Sequence, residues 1–153
     1  MSLQPKKVEI TQQAYEVMER DALRAFPDEC CGFFYGEDRD VRLVTRAEPV
    51  INTKEVDKRR RFRIDPLDYM KAENFALENN LVLLGVYHSH PMHPAIASEH
   101  DREVAMPWFS YIILSTYESE VADVKSWQLD DERRFVEEPL LVHLPIPHSI
   151  KTA

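Results

Sequence analysis

The segment YHSHPMHPAIASEHD, residues 87–101, contains side chains whose types and spacing suit a metal ion. On an extended backbone, His88 and His90 share one face and can direct both imidazoles at a single point. Asp101 offers a third, anionic ligand. A structural zinc site is usually closed by four protein side chains, whereas three ligands leave a coordination position for water. The pattern therefore predicts a catalytic site that performs hydrolysis.

Other residues of the segment allow a second interpretation. Ser98 precedes Asp101 by three positions, which is the spacing of a helix N-cap and its acidic partner, although that motif prefers Glu or Gln at the later position. Residues three apart on a helix face the same way, so capping and metal binding are compatible. His100 points about 100° away from Asp101 on a helix. His93 is expected at the rim of the cleft, so we expect neither histidine to be a ligand.

Hydrolysis also needs a carboxylate that takes a proton from water and delivers it to the departing amine. The chain contains 27 acidic residues, so spacing alone does not identify this base. Glu29 is the best candidate because it immediately precedes the apolar run 30–35, which can carry it into a sheet beside the histidine strand. The alternative is an ordinary surface acid at the entrance of a strand.

The first half of the chain must supply the strand that carries Glu29. Thr11 predicts the N-cap of a first helix, which Pro27 ends. Two strands are then expected over residues 30–35 and 41–51. The predicted start of a second helix is Asp65 followed by Pro66. The side chains that we expect on its buried face are Leu67, Met70 and Leu77.

The second half must supply the metal ligands. The apolar run 81–88 lacks alternation and predicts a central strand covered on both faces, with the metal motif beginning where this strand ends. A third helix is expected from Ser98 to the residue before Pro107, followed by strands over 109–116 and 121–130. Prolines at 139, 145 and 147 predict an irregular tail. We therefore expect one α/β domain over residues 1–153, with strands interleaved with helices around one sheet.

Charge and composition limit the classes of partner. The formal net charge is -8, which disfavours a nucleic-acid partner because phosphate binding depends on accumulated Lys and Arg. The neighbours Cys30 and Cys31 point to opposite faces of a strand, which is poor geometry for a disulfide. The start of the sequence has no signal-peptide-like apolar stretch, and no later stretch could span a bilayer. We expect a cytoplasmic protein that does not bind membranes.

Taken together, these residues resemble the signature of the JAMM or MPN metalloproteases. That signature is an upstream Glu, then H-x-H-P, then S-x-x-D. The matching residues here are Glu29, His88, His90, Pro91, Ser98 and Asp101. The similarity also extends through Asn52, the segment RFRIDP and the order of elements up to SWQLDD, and it covers roughly residues 8–135.

The resemblance implies a zinc-dependent peptidase or isopeptidase. In such an enzyme His88, His90 and Asp101 hold Zn²⁺, Glu29 is the general acid and base, and Ser98 supports the polarised carbonyl. The implied fold is a curved mixed sheet packed between helices, similar in layout to the cytidine deaminases.

The resemblance also implies a substrate class. Compact prokaryotic members of the family are associated with ubiquitin-like sulfur-carrier proteins that end in Gly-Gly, which implies an E1-like adenylating enzyme in the same pathway. By analogy with family members we also expect a homodimer. The basic run KRRRFR, residues 58–63, is either a docking site for an acidic patch on the carrier or a solvated strand face.

Two other functions compete with this one. A zinc deaminase also uses zinc, water and a Glu, but the H-x-E and P-C-x-x-C patterns of that class are absent from the sequence. A non-catalytic binding module could retain the fold. The complete ligand set and the presence of Glu29 argue against it.

Overall fold

The computed structural model describes residues 5–50 and 64–144, and within these ranges it contains eight strands and three helices. The strands are β1 (Lys7–Ile10), β2 (Cys31–Asp38), β3 (Val41–Val50), β4 (Val82–Pro91), β5 (Ser110–Tyr117), β6 (Glu120–Leu129), β7 (Phe135–Glu138) and β8 (Leu140–Val142). The helices are α1 (Gln12–Ala25), α2 (Pro66–Glu78) and α3 (Glu99–Val104). None of the described helices is long and apolar enough to cross a bilayer.

The eight strands form one mixed sheet that curves until it is nearly closed. Their order is β7-β6-β5-β4-β2-β3-β1-β8, so β7 and β8 are the two outermost strands. Only Pro139 separates them in the chain, and its carbonyl accepts a hydrogen bond from Val8 N–H at 2.8 Å. The two ends of the sheet must therefore meet. The curved mixed sheet packed with helices that we predicted is confirmed.

Helix α1 fills one half of the interior of this curve. Its N-cap is Thr11, whose hydroxyl accepts a hydrogen bond from Ala14 N–H at 3.3 Å, as predicted. The helix buries a stripe that includes Tyr15, Met18 and Ala22 against the inner side of the sheet. This inner core covers the inner face of the sheet, and β4 is one of the central strands of that sheet.

The other half of the interior contains a cluster of polar side chains, which we call the inner polar cluster: Arg42, Ser110, Ser126 and Glu138, all buried. Arg42 Nη1 donates to Ser110 Oγ at 2.8 Å, and the hydroxyls of Ser110 and Ser126 donate to the two carboxylate oxygens of Glu138 at 3.1 and 2.7 Å. Because β3 and β5 are not neighbours in the sheet, this network spans the interior and joins four strands.

Helix α2 covers the outer face of the sheet, but not with the side chains that we predicted. Leu67, Met70 and Leu77 are 53%, 54% and 80% exposed, and the buried residues are Ala72 and Ala76. This pair lies at i and i+4 on one side of the helix, and its small side chains allow a close approach to the strands. The predicted buried face is therefore wrong, and the large aliphatic side chains face solvent.

The tail was also predicted incorrectly in part. Residues 135–142 form β7 and β8 instead of an irregular segment, and β8 pairs in parallel with β1. Pro139 occupies the junction between the two strands, where its missing N–H breaks no ladder. Pro145 and Pro147 lie outside the described residues, as do residue 51 of the predicted second strand, Asn52 and the basic run 58–63.

Cys30 and Cys31 are both buried and unoxidised. Cys30 packs in the inner core and Cys31 in the outer one, so the prediction that they point to opposite faces is confirmed.

Candidate metal centre

Strand β4 places the two histidines on the outer face of the sheet. It runs between β2 and β5 and continues to Pro91. The H-x-H-P part of the motif therefore lies within the strand, whereas we predicted that the motif begins where the strand ends. His88 and His90 share the outer face, while Ser89 between them points to the inner face. Both histidines are buried, which removes most competing water from their ring nitrogens.

Helix α3 brings the aspartate to the same place through its N-terminal cap. Ser98 Oγ accepts a hydrogen bond from Asp101 N–H at 3.0 Å, and Asp101 Oδ2 accepts one from Ser98 N–H at 2.8 Å. This reciprocal pair is a capping box, so the capping interpretation of Ser98 is confirmed. The same bonds fix the direction of the Asp101 carboxylate towards β4.

The three side chains converge on one point. Asp101 Oδ1 lies 3.5 Å from His88 Nε2, and Asp101 Oδ2 lies 3.2 Å from His90 Nε2. One donor atom of each residue lies within 4.8 Å of the other two. Tetrahedral zinc with bonds of about 2.0 Å separates its ligand atoms by about 3.3 Å. The spacing and the donor types therefore fit a zinc ion held by His88, His90 and Asp101.

The hydrogen-bond partner of His90 Nδ1 determines which ring nitrogen can offer a lone pair to a metal ion. His90 Nδ1 lies 2.9 Å from the carbonyl oxygen of Pro94, which can only accept, so Nδ1 carries the hydrogen. In the neutral ring Nε2 then carries the lone pair. Such a carbonyl partner is typical of metal-binding histidines because it fixes the tautomer and the ring orientation.

The electrostatics of the three residues also favour a cation between them. Burial lowers the pKa of His88 to about 4, so its ring is neutral near pH 7. Burial disfavours the charged form of Asp101 too, but the neighbouring His88 and His90 and the Ser98 N–H outweigh it and lower the pKa of the carboxyl. For His90, burial is outweighed by the hydrogen bond and charge of Asp101, which raise its pKa. The site therefore contains a fixed anion that attracts a positive charge.

A cavity of about 480 Å³ opens beside these residues. The side chains that line it are Glu29, His90, His93, Pro94, Ile96 and Ser98. Glu29 is only 5% exposed, so it is not the surface acid of the alternative interpretation. His93 lines the cavity, as expected for a rim residue, whereas His100 is not part of the group of ligand atoms.

Two features of the site were missed in the sequence. The Pro94 carbonyl cannot be found from side-chain motifs because it is a backbone group of an irregular loop. Ser89 could have been noticed, since a serine on the covered face of a central strand must find a hydrogen-bond partner inside the protein.

Comparison with known proteins identifies similar sequences and folds. Residues 11–130 match the family described as prokaryotic homologs of the JAB domain. A desampylase of Pyrococcus furiosus is 28% identical over 114 residues, which are 74% of this chain and 76% of that protein. A desampylase of Haloferax volcanii is 36% identical over 90 residues, which are 58% of this chain and 63% of that protein.

The solved structures that share the fold include two determined in solution. The solution structure of a Desulfitobacterium hafniense protein has a TM-score of 0.76 at 31% identity and covers 92% of this chain and 96% of its own. That of a Salinibacter ruber protein has a TM-score of 0.64 at 31% identity and covers 90% of this chain and 95% of its own.

Proposed function

The chain belongs to the prokaryotic JAB homologs of the JAMM/MPN family, and from this premise we propose that it is a zinc-dependent isopeptidase. Its proposed reaction is hydrolysis of the bond that follows the C-terminal Gly-Gly of a ubiquitin-like or sulfur-carrier protein. The observation that carries the proposal is the convergence of His88, His90 and Asp101, together with a cavity that is lined by His90 and by the buried Glu29.

The donor set determines which ion is proposed. Two imidazole nitrogens and one carboxylate oxygen are ligands that zinc accepts at catalytic sites, where a fourth position is left for solvent. When bound, zinc lowers the pKa of water from 15.7 to about 7 and polarises a carbonyl oxygen. The capping box and the Pro94 carbonyl hold Asp101 and His90 in the orientation that this ion requires.

Glu29 is proposed as the group that moves the proton. Glu29 lines the same cavity as His90 and Ser98. A carboxylate in this place accepts a proton from the attacking water and then delivers it to the nitrogen of the departing amine. Because the side chain is almost fully buried, little bulk water competes for that proton.

Ser98 is proposed to stabilise the negative charge that develops on the carbonyl oxygen. Its oxygen already accepts the Asp101 N–H in the cap, so its own O–H hydrogen can be donated into the cavity that it lines. A fixed donor at this point acts mainly in the transition state. Capping and catalysis therefore use different parts of the same hydroxyl.

The substrate class is supported by the relatives and by the shape of the site. Both sequence relatives are desampylases, which act on conjugates of a ubiquitin-like modifier. A Gly-Gly tail has no side chains, so it can lie extended past Pro94 and Ile96 and reach a buried metal centre. An E1-like adenylating enzyme that activates the same carrier is part of this proposal. The homodimer and the cytoplasmic location stay predictions.

The test is hydrolysis of a ubiquitin-like protein whose terminal Gly-Gly is joined to a fluorogenic aminocoumarin. We expect no release after the protein is stripped with a chelator, release after reconstitution with zinc, and at most weak release from a substrate that ends in Val-Val. If the zinc-loaded protein binds the Gly-Gly substrate and leaves it intact, it is a binding module and the proposal is wrong.

A further inference from the structure

We propose that Ser89 is a positioning residue for Glu29. Its hydroxyl ties the backbone at the entrance of β2 to the strand that carries both histidines. This inference rests on the proposed function, because it takes Glu29 as the group that transfers the proton. Ser89 itself points to the inner face of the sheet and acts only through Glu29.

The connection consists of two hydrogen bonds beyond the last paired residues of β2 and β4. These strands are antiparallel and place Cys31 opposite His88, so the next pair is Cys30 and Ser89. Ser89 N–H donates to the Cys30 carbonyl at 3.2 Å, and Cys30 N–H donates to Ser89 Oγ at 2.9 Å. One side-chain hydroxyl therefore extends the contact between the strands to the residue that follows Glu29.

The second of these bonds acts directly on the backbone of Glu29. The nitrogen of Cys30 belongs to the planar peptide unit that also contains the carbonyl of Glu29. Holding this N–H therefore fixes the plane from which the Glu29 side chain departs. The other end of the connection is Ser89, which lies between His88 and His90 in the strand. The position of the proposed base is therefore fixed relative to the two histidine ligands.

Burial makes the hydroxyl hard to replace. Ser89 is fully buried and Cys30 is 5% exposed, so bulk water does not reach this N–H. A buried N–H that loses its acceptor is costly, and the chain relieves the cost by moving the peptide until another acceptor is found. The segment that moves includes Glu29.

A small movement of Glu29 has a large kinetic effect. A general base must lie about 2.6–3.2 Å from the atom whose proton it takes, and a misplacement of about 1 Å can lower the rate about 100-fold. We therefore expect Ser89→Ala to lower kcat about 100-fold and to leave KM nearly unchanged, because the substrate does not reach the inner face. Zinc content should stay at one ion per chain, because the ligand side chains lie on the outer face.

Strand β4 offers a matched control. Tyr87 is the preceding inner-face residue, it is also fully buried, and its hydroxyl donates to Asp21 Oδ2 at 2.7 Å. This bond leads to Asp21 on α1, which also contacts the Cys30 thiol, but it does not involve the Cys30 N–H of the peptide that contains the Glu29 carbonyl. Tyr87→Phe therefore removes one buried hydrogen bond from the same strand. We expect it to lower thermal stability and to keep kcat within about threefold of the unmodified protein.

The experiment compares zinc-loaded Ser89→Ala, Ser89→Thr and Tyr87→Phe on the Gly-Gly aminocoumarin substrate. Ser89→Thr keeps the hydroxyl, so it should recover most of the kcat that Ser89→Ala loses. Equal losses of kcat in Ser89→Ala and Ser89→Thr, or in Ser89→Ala and Tyr87→Phe, would overturn the inference. In either case the hydroxyl bond to Cys30 is not what maintains the rate.

A double-substitution cycle provides the sharper test. If Ser89 acts only by placing Glu29, Ser89→Ala should lower kcat by less than about threefold in a Glu29→Gln background, because the group to be placed is already disabled. Additive losses would mean that Ser89 acts elsewhere. A crystal structure of zinc-loaded Ser89→Ala should show the Glu29 carboxylate displaced, and an unmoved carboxylate contradicts the inference.

The design separates this inference from the proposed function. If the zinc-loaded unmodified protein has no hydrolytic activity, the proposed function fails and the inference fails with it. If the unmodified protein is active and Ser89→Ala is equally active, only the role of Ser89 is wrong.

Discussion

Within the described residues, the inner polar cluster and the metal centre lie on opposite faces of the same sheet, and they differ in how their charges and hydrogen bonds are balanced. In the inner polar cluster, Ser110 accepts a hydrogen bond from the guanidinium of Arg42 and donates one to the carboxyl group of Glu138. Ser126 also donates to Glu138. In the metal centre, the carboxylate of Asp101 faces the Nε2 atoms of His90 and His88 at 3.2 and 3.5 Å.

This difference distinguishes a cluster that only stabilises the fold from a cluster that can bind a ligand. Buried polar groups that satisfy one another stabilise one arrangement of the chain and leave no place for a ligand. A carboxylate and two imidazole nitrogens that converge beside a cavity can share a metal ion, and this capacity indicates binding. Burial and polarity alone do not distinguish the two clusters, whereas the donor types and the adjoining cavity do.

The largest expected effect is the loss of the metal. His88→Ala removes one of three ligands, so zinc content measured by elemental analysis should fall from one ion per chain to near zero, and hydrolysis should fall to background. His100→Ala is the control. It changes a histidine of α3 that is not one of the three proposed ligands, so the zinc should be retained. Full zinc occupancy in His88→Ala would show that the acceptors of this cluster do not form the binding site.

Ser126→Ala makes the corresponding change in the inner polar cluster. It removes one donor to Glu138, so the free energy of unfolding should fall by about 1–3 kcal/mol. We expect kcat and zinc content to be unchanged. A large loss of activity in Ser126→Ala, measured at a temperature where it is folded, would remove the distinction between the two clusters.

The next largest effect is expected for Glu29→Gln. The substitution keeps the size of the side chain and removes its ability to accept a proton, so kcat should fall about 10²-fold to 10⁴-fold while zinc is retained. Kinetics and elemental analysis on the same preparation test both parts. Near-normal turnover would mean that another group is the base.

A smaller effect is expected for Ser98→Ala, because it removes one donor and one cap. Turnover should fall about 100-fold to 1000-fold if the hydroxyl stabilises the oxyanion. Stability should fall by about 1 kcal/mol from the lost cap. Ser98→Thr keeps both functions and serves as the control. Reduced stability with an intact rate in Ser98→Ala would assign the serine to capping alone.

The smallest effect concerns the pH dependence of the inner polar cluster. Burial raises the pKa of Glu138 above its usual 4.5, although the two serines and Arg42 oppose this shift. The folded state therefore holds the proton to higher pH than the unfolded state does. The stability contributed by this carboxyl is complete below 4.5 and is lost as the pH rises through the folded-state pKa.

Urea denaturation at several pH values tests this expectation. The free energy of unfolding of the unmodified protein, minus that of Glu138→Gln, should decrease as the pH rises. A difference that is independent of pH would mean that the folded and unfolded states bind this proton equally.

The sequence was sufficient for the parts of the site that are set by local periodicity. Two-residue spacing on a strand brings His88 and His90 to one face, and three-residue spacing on a helix brings Ser98 and Asp101 together. The position of Glu29 depends on the pairing of β2 with β4, which no local pattern encodes. Its place before an apolar run pointed to it, but only the fold places it in the cavity.

The errors in the fold have physical causes. On α2 the large aliphatic side chains suggested the buried face, but the buried residues are Ala72 and Ala76, and Tyr69 and Phe75 pack beside them. Strands β7 and β8 are short and flank Pro139, which usually interrupts a strand. Their pairing depends on the closure of the whole sheet, which brings together β1 and residues near the end of the described chain.

The junction at Pro139 has a consequence for how the protein is made. Every strand from β1 to β6 leaves the ribosome before the segment that unites the two margins of the sheet. Until residue 138 has been synthesised β6 lacks β7, and until residue 142 has been synthesised β1 lacks β8 along one side. Unpaired strand margins are templates for association with other chains. Premature termination within this segment should therefore yield aggregates instead of a shortened, folded protein.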